Sequence, residues 1–138
     1  MSELTRLSMS LEKSLAKRLD GLAKGADYSN RSEFLRDLIR RETVDRQWKG
    51  NQEVLGTITI LYDHHQRGLN DRLTGVQHDH TGEILASTHV HLSHHLCAEM
   101  VMVRGKASQL KSLSDEMGKL KGVLHSALSM SSTGKGVR

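Results

Sequence analysis

The sequence has no proline and a single cysteine, Cys97. Without proline, regular elements must be ended by Gly, Asn, Asp and Ser turns. One thiol excludes an intramolecular disulfide, so no covalent staple is available to the fold. Aromatic residues make up only 3% of the chain, namely Trp48, Tyr28, Tyr62 and Phe34, which leaves almost no material for a surface that stacks single-stranded bases. No stretch approaches the roughly 20 apolar residues of a membrane helix, and a start carrying Glu3, Arg6 and Ser8 lacks the apolar region of a secretion signal. A cytoplasmic protein with no membrane partner is expected. In a reducing compartment a lone cysteine among histidines reads better as a metal ligand than as a structural residue.

The 138 residues suffice for one or two small domains and exclude a large multi-domain enzyme. A net charge of +4 permits a nucleic-acid partner without demanding one. The nine histidines are the more informative feature.

Apolar Leu7, Met9 and Leu11 alternate with polar Arg6, Ser8 and Ser10, which predicts a half-buried strand over residues 4 to 11. Leu11, Leu15, Leu19 and Leu22 recur at helical spacing, predicting a helix over 11 to 24 that Gly25 ends. Asn30 and Glu33 form a capping-box-like start for a second helix over 31 to 47, with Leu35, Leu38 and Ile39 on its apolar stripe. A lone strand with two short helices cannot satisfy its backbone or bury a stable core, so another chain must complete this unit. The segment Trp48 to Glu53 is expected to be the linker. Beyond it the patterns predict strands over 54–64, 83–92, 98–104 and 122–130, helices over 67–77 and 106–119, and a frayed tail. That order, βαββαβ, places helices on one face of an antiparallel sheet. The expected class is α+β, with one domain over residues 1–48 and a second over 54–131.

His89 and His91 lie two apart on a predicted strand and so share a face, and Cys97 follows where a hairpin folds its sulfur back toward them. A thiolate with imidazoles suits nickel, copper, zinc or cobalt rather than magnesium or calcium. The bland alternative is a solvent-facing histidine row beside a small core cysteine. His78 and His80, taken alone, read as solvated loop residues. The same reading covers His64, His65, His94, His95 and His125, although His64 and Tyr62 sit beside the cluster as candidate outer partners of the ligands. On the first strand Arg6, Ser8 and Ser10 present donors and acceptors that, paired across a two-fold, form a ribbon fit for a major groove. Free backbone N–H groups at Asn30, Arg31 and Ser32 offer a phosphate anchor. The charged run from Arg36 to Arg46 reads as a salt-bridged helix face, and no catalytic constellation stands out.

The segment RLSMSLEKSLAKRLDGLAKGADYSNRSEFLRDLIR resembles a ribbon-helix-helix DNA-binding domain, and THVHLSHHLC with the upstream QHDH resembles the metal-binding domain of the nickel-responsive regulator (NikR) family. The resemblance covers residues 5 to 130. It implies an ACT-type second domain and a homotetramer in which two N-terminal dimers flank four C-terminal domains. It also implies in-chain Ni(2+) ligands at His89, His91 and Cys97, with a fourth from a neighbouring subunit at His78 or, given the QHDH loop, His80. Arg6, Ser8 and Ser10 take the positions of the family's base-reading residues. Glu33 and Asp37 match a second, weaker cation site, and Glu99 and Tyr62 match the ligand surroundings. Where some relatives carry a Lys-Arg pair that contacts the DNA backbone, this chain has Gln66 and Arg67. Three imidazoles and one thiolate in a plane suit Ni(II), whereas zinc prefers a tetrahedron. The implied function is a nickel-responsive repressor, not an enzyme, acting on double-stranded operator DNA. A metal-storage or delivery protein using the same cluster is the alternative, and metal-dependent operator binding separates the two.

Overall fold

The computed structural model describes residues 3–138. Its element order is α1 (Lys13–Gly25), α2 (Arg31–Lys49), β1 (Glu53–Asp63), α3 (Leu69–Asp79), β2 (Ile84–His91), β3 (Leu96–Lys106), α4 (Ala107–Gly118) and β4 (Val123–Ser131). The chain divides into two compact units, one ending at Thr43 and taking in Gly136–Arg138, the other Val44–Lys135.

In the first unit, Asn30 caps α2 by accepting a 2.9 Å hydrogen bond from the Glu33 backbone N–H at its Oδ1. The predicted strand over residues 4 to 11 does not form in the single chain, where Glu3–Glu12 adopt no regular structure. The reason is physical: a strand exists only in a ladder, and among the described residues of this unit there is no second strand to pair with. Its apolar side chains stay in water, with Leu7 85% and Met9 59% exposed, and so do Leu15, Leu22 and Ile39 on the two helices. Among the described residues of this unit, Ala23 and Phe34 are the only buried hydrophobic ones.

The second unit closes its own core. The four strands lie in the order β2-β3-β1-β4, every neighbouring pair antiparallel. Alternation along β1 buries Val54, Ile58, Ile60 and Tyr62, and along β3 Cys97, Val101 and Val103. Leu69 and Leu73 of α3, with Ala107, Leu110, Leu113 and Met117 of α4, cover that face. At the turn into β4, Gly122 has φ +98°, and a Cβ there would stand 2.5 Å from Gln66 Cγ, so both the backbone and the space require glycine. Its carbonyl accepts from the Asp63 N–H at 3.2 Å and holds the end of β1.

Two expectations need correction. Trp48, placed at the start of the linker, belongs to the last turn of α2 and is 2% exposed within the second unit's core, its indole N–H donating 2.9 Å to the Ser131 carbonyl. An indole needs both an apolar seat and one acceptor, and the strand end supplies the acceptor. The tail after Ser131 is not simply frayed: the Lys135 carbonyl accepts from Gln47 Nε2 at 2.8 Å and the Val137 carbonyl from Arg40 Nε at 3.1 Å.

Because the only tryptophan reports from that core, its emission should follow unfolding of the Val44–Lys135 unit. Leu113→Ala, removing a side chain with no exposed surface, should cost about 2–5 kcal/mol and shift the Trp48 urea transition to lower denaturant. An unchanged transition would remove Trp48 and Leu113 from a shared cooperative core.

Candidate functional site

Residues directly opposite one another in an antiparallel pair point to the same side of the sheet. Cys97 on β3 stands opposite both Tyr62 on β1 and His91 on β2, and Glu99 stands opposite His89. Tyr62, Cys97, Glu99, His89 and His91 therefore continue, at one end of the sheet, the same face that elsewhere forms the hydrophobic core. Strand β2 lies at the sheet edge, which leaves its two histidines open to solvent.

Cys97 Sγ lies 3.2 Å from His91 Nδ1. The donor atoms of His64, His91 and Cys97 all lie within 4.8 Å of one another, close enough for one ion to gather them with small rotations. His89 is beside this group rather than in it: its ring centroid is 5.1 Å from that of His91, and the Tyr62 hydroxyl oxygen lies 3.5 Å from each of its ring nitrogens. His64 was expected only as an outer partner. Its position was missed because it follows the last residue of β1, where the period-2 pattern no longer says which way a side chain points. Its backbone N–H donates 3.2 Å to the His95 carbonyl, which folds the strand end against the β2–β3 loop. Its Nε2 lies 2.5 Å from the His94 carbonyl oxygen; a carbonyl only accepts, so that nitrogen donates and Nδ1 is the one left to face an ion.

Burial and the nearby Asp63 carboxylate push the Cys97 thiol above its ordinary pKa, so it is protonated at neutral pH. Burial and the charges of Glu99 and Cys97 push the Tyr62 phenol up to about 12. Tyr62 thus remains a proton donor at every physiological pH. One thiol and several imidazoles, with no all-oxygen shell, fit a borderline transition ion such as nickel.

His78 sits exposed near the end of α3, outside the convergent group. Its neighbour Gln77 donates a 2.9 Å hydrogen bond from Nε2 to Glu99 Oε1, tying this end of α3 to the strand that carries Cys97. His80 is engaged within its own chain, with Nε2 3.1 Å from Glu116 Oε2 and Nδ1 4.0 Å from Glu83 Oε2.

In the first unit Arg6, Ser8 and Ser10 are exposed. Arg31, singled out for its backbone N–H at the start of α2, uses its side chain for a two-pronged ion pair with Asp20 of α1, at 2.6 and 2.7 Å. That hydrogen bonding holds the Asp20 carboxyl below its usual pKa and Arg31 above its own. The reach between two helices is invisible to sequence periodicity. Ser32 is exposed beside it, and Arg67 is exposed in the turn between β1 and α3. Glu33 and Asp37 line a small depression with Tyr28, Arg36 and Arg40. Both Asp37 oxygens are engaged, one by the Tyr28 hydroxyl and the other by Arg40 at 2.9 Å. The hydrogen bond from Tyr28, followed by that from Arg40, lowers the Asp37 pKa.

Two family patterns match the chain: the NikR C terminal nickel binding domain over residues 55–131, and the ribbon-helix-helix protein, copG family, over residues 5–44. Proteins described provisionally as nickel-responsive regulators from Geobacter sulfurreducens and Geobacter metallireducens are each 44% identical to it, across 98% of this chain and 98% of their own. Another, from Syntrophus aciditrophicus, is 42% identical over the same shares. Among solved structures, an uncharacterized protein from Thermotoga maritima superposes with a TM-score of 0.52 at 12% identity, covering 57% of this chain and 98% of that one, which is a likeness of fold alone.

A thiol that is protonated at neutral pH must lose its proton to become a ligand, so metal uptake here should release a proton. Since the Cys97 pKa is raised, release persists across pH 7 to 8 and the apparent affinity should climb about tenfold per pH unit for that proton. Calorimetry in buffers of different ionisation enthalpy measures it; an affinity flat with pH would exclude Cys97 as a ligand.

Proposed function

Because the chain belongs to the nickel-responsive regulator family, joining a ribbon-helix-helix unit to a nickel-binding domain, we propose that it is a cytoplasmic homotetrameric repressor, a dimer of dimers that binds Ni(2+) and then double-stranded operator DNA upstream of genes for nickel uptake or use. As a family of transcriptional regulators these are not enzymes. The observation that carries the reading is the gathering of a buried thiol and imidazoles at one sheet end of a domain that follows a DNA-binding unit.

His89, His91 and Cys97 would hold the ion in one chain, the His89 ring turning in beside His91 with His64 as the outer partner, and His78 would complete the set from a neighbouring subunit. Two facts favour His78 over His80 for that role: His78 is exposed and outside its own chain's cluster, while Glu116 and Glu83 already occupy His80. Nickel would supply a bond set that joins two chains. Tyr62 braces the His89 ring from below. Gln77, through Glu99, holds the helix end that presents His78 at a fixed distance from Cys97. Ordering of that end biases how the two ribbon dimers are presented, which is a coupling between distant sites. The functional domains are taken as residues 1–48 and 54–131, with the last turn of α2 lending Trp48 to the core of the second unit.

Assembly is supported by what each unit leaves uncovered. The uncovered side of the sheet exposes Val90, Met100 and Met102, and the first unit exposes Leu4, Leu7, Met9 and Leu11. Two copies of residues 4 to 11, paired antiparallel, would bury Leu7, Met9 and Leu11 and turn Arg6, Ser8 and Ser10 outward as base readers. Asn30, Arg31 and Ser32 would hold phosphates at the start of α2, with Arg67 as a further backbone contact. Glu33 with Asp37 would hold the second, weaker cation, which would have to displace Tyr28 or Arg40 from the Asp37 carboxylate.

Footprinting on the chain's own promoter region, with and without nickel, tests the reading; protection at two separated half-sites only with nickel is expected. Arg6→Ala should cost about 1 to 3 kcal/mol per lost base contact and relax preference at one operator position, whereas changes at Ser32 should weaken all sequences alike. Unchanged operator discrimination in Arg6→Ala would remove the ribbon from recognition. Mixed oligomers of His78→Ala and His89→Ala chains should recover some complete sites, and their failure to do so, with both parents assembled, would count against a ligand shared between subunits.

A further inference from the structure

Three histidines outside that site also converge. His65 follows the end of β1, and His94 and His95 lie in the loop between β2 and β3. One donor atom from each lies within 4.8 Å of the others. The ring centroids are 5.6 Å apart for His65 and His94, 5.1 Å for His65 and His95, and 4.8 Å for His94 and His95. We propose that His65, His94 and His95 form a second, solvent-open metal site that takes a borderline divalent transition ion through imidazole nitrogens alone.

The backbone beneath the three rings is fixed. The His65 N–H donates 2.9 Å to Asp63 Oδ1, and the Ser93 hydroxyl oxygen accepts from the His95 and Leu96 N–H groups at 3.4 and 3.2 Å. His65 Nε2 lies 3.2 Å from the His94 carbonyl oxygen, to which it donates, so Nδ1 is the nitrogen left to face an ion. Three nitrogens each about 2.1 Å from one ion stand about 3.0 to 3.6 Å apart, so side-chain rotations that move each nitrogen by up to about an ångström close the set. All three side chains are exposed, so those rotations disturb no packing.

The two clusters share no side chain, and they differ in chemistry. The first has a buried thiol. The second has neither thiol nor carboxylate and leaves positions for water, so it holds ions more weakly and follows the general preference for copper over nickel and zinc. They are nonetheless adjacent: the His64 and His65 rings are 4.0 Å apart, and both rings turn Nε2 toward the one His94 carbonyl. The second cluster stands on its own geometry whether or not the regulatory reading is right.

The test is titration of the full-length protein with nickel sulfate alone, reading bound metal by equilibrium dialysis and thiolate charge transfer by absorbance. Two equivalents per chain are expected, only the first adding a charge-transfer band. The double variant His94→Ala/His95→Ala should lose the second equivalent, with its affinity reduced at least about tenfold, and keep the band. His65→Gln should weaken the same equivalent, with far-UV circular dichroism confirming that both variants are folded. Cys97→Ser should do the reverse, losing the band and keeping the second equivalent. Saturation of the wild type at one equivalent, or a second equivalent unmoved by the double variant, would overturn the proposal. Loss of both equivalents in a folded double variant would also overturn it, by making the two clusters one site.

Discussion

The register of β3 between its two neighbours governs the second unit. Because Cys97 stands opposite Tyr62 on one side and His91 on the other, one strand position fixes the thiol against a phenol and an imidazole at once. A slip of one residue would turn Cys97, Val101 and Val103 to the uncovered side and dismantle core and ligand cluster together. The hydrophobic effect that seats Val101 and Val103 beneath α4 thus also positions the site chemistry. The ligand cluster needs no separate scaffold, being the last rung of the core face.

That economy has an electrostatic consequence. Cys97 is at once a core residue with no exposed surface and a chemical group, so burial holds it in the neutral form until an ion competes for its proton. His91 and His89, on the sheet edge, stay in contact with water. The cluster therefore has a dry half and a wet half, and any discrimination among ions would rest on the dry half, where a soft donor is held at fixed distance from an imidazole.

Most of the second unit was readable from residue patterns, because period-2 runs such as VLGTITILYDH and the leucines of α4 report directly on a face that one chain buries for itself. His89, His91 and Cys97 could be read for the same reason: their spacing and strand geometry settle a common side. What escaped lay where periodicity stops. His64 follows a strand end, Trp48 sits in a helix's last turn among polar neighbours, and Arg31 finds Asp20 across two helices. The first unit gives the opposite case. Its alternation Leu7, Met9, Leu11 is clear in sequence, yet no strand forms within one chain, because the pattern describes a ladder that a single copy does not contain.

The position of β2 at the sheet edge has a kinetic meaning. It is hydrogen-bonded on one side only, to β3, and its outer backbone groups face solvent. Edge strands open more readily than central ones. Any ion held between His91 and Cys97 is therefore gripped by one strand that breathes and one that does not. The residence time of such an ion would follow how often the edge frays, making release a local unfolding event rather than an escape along a channel.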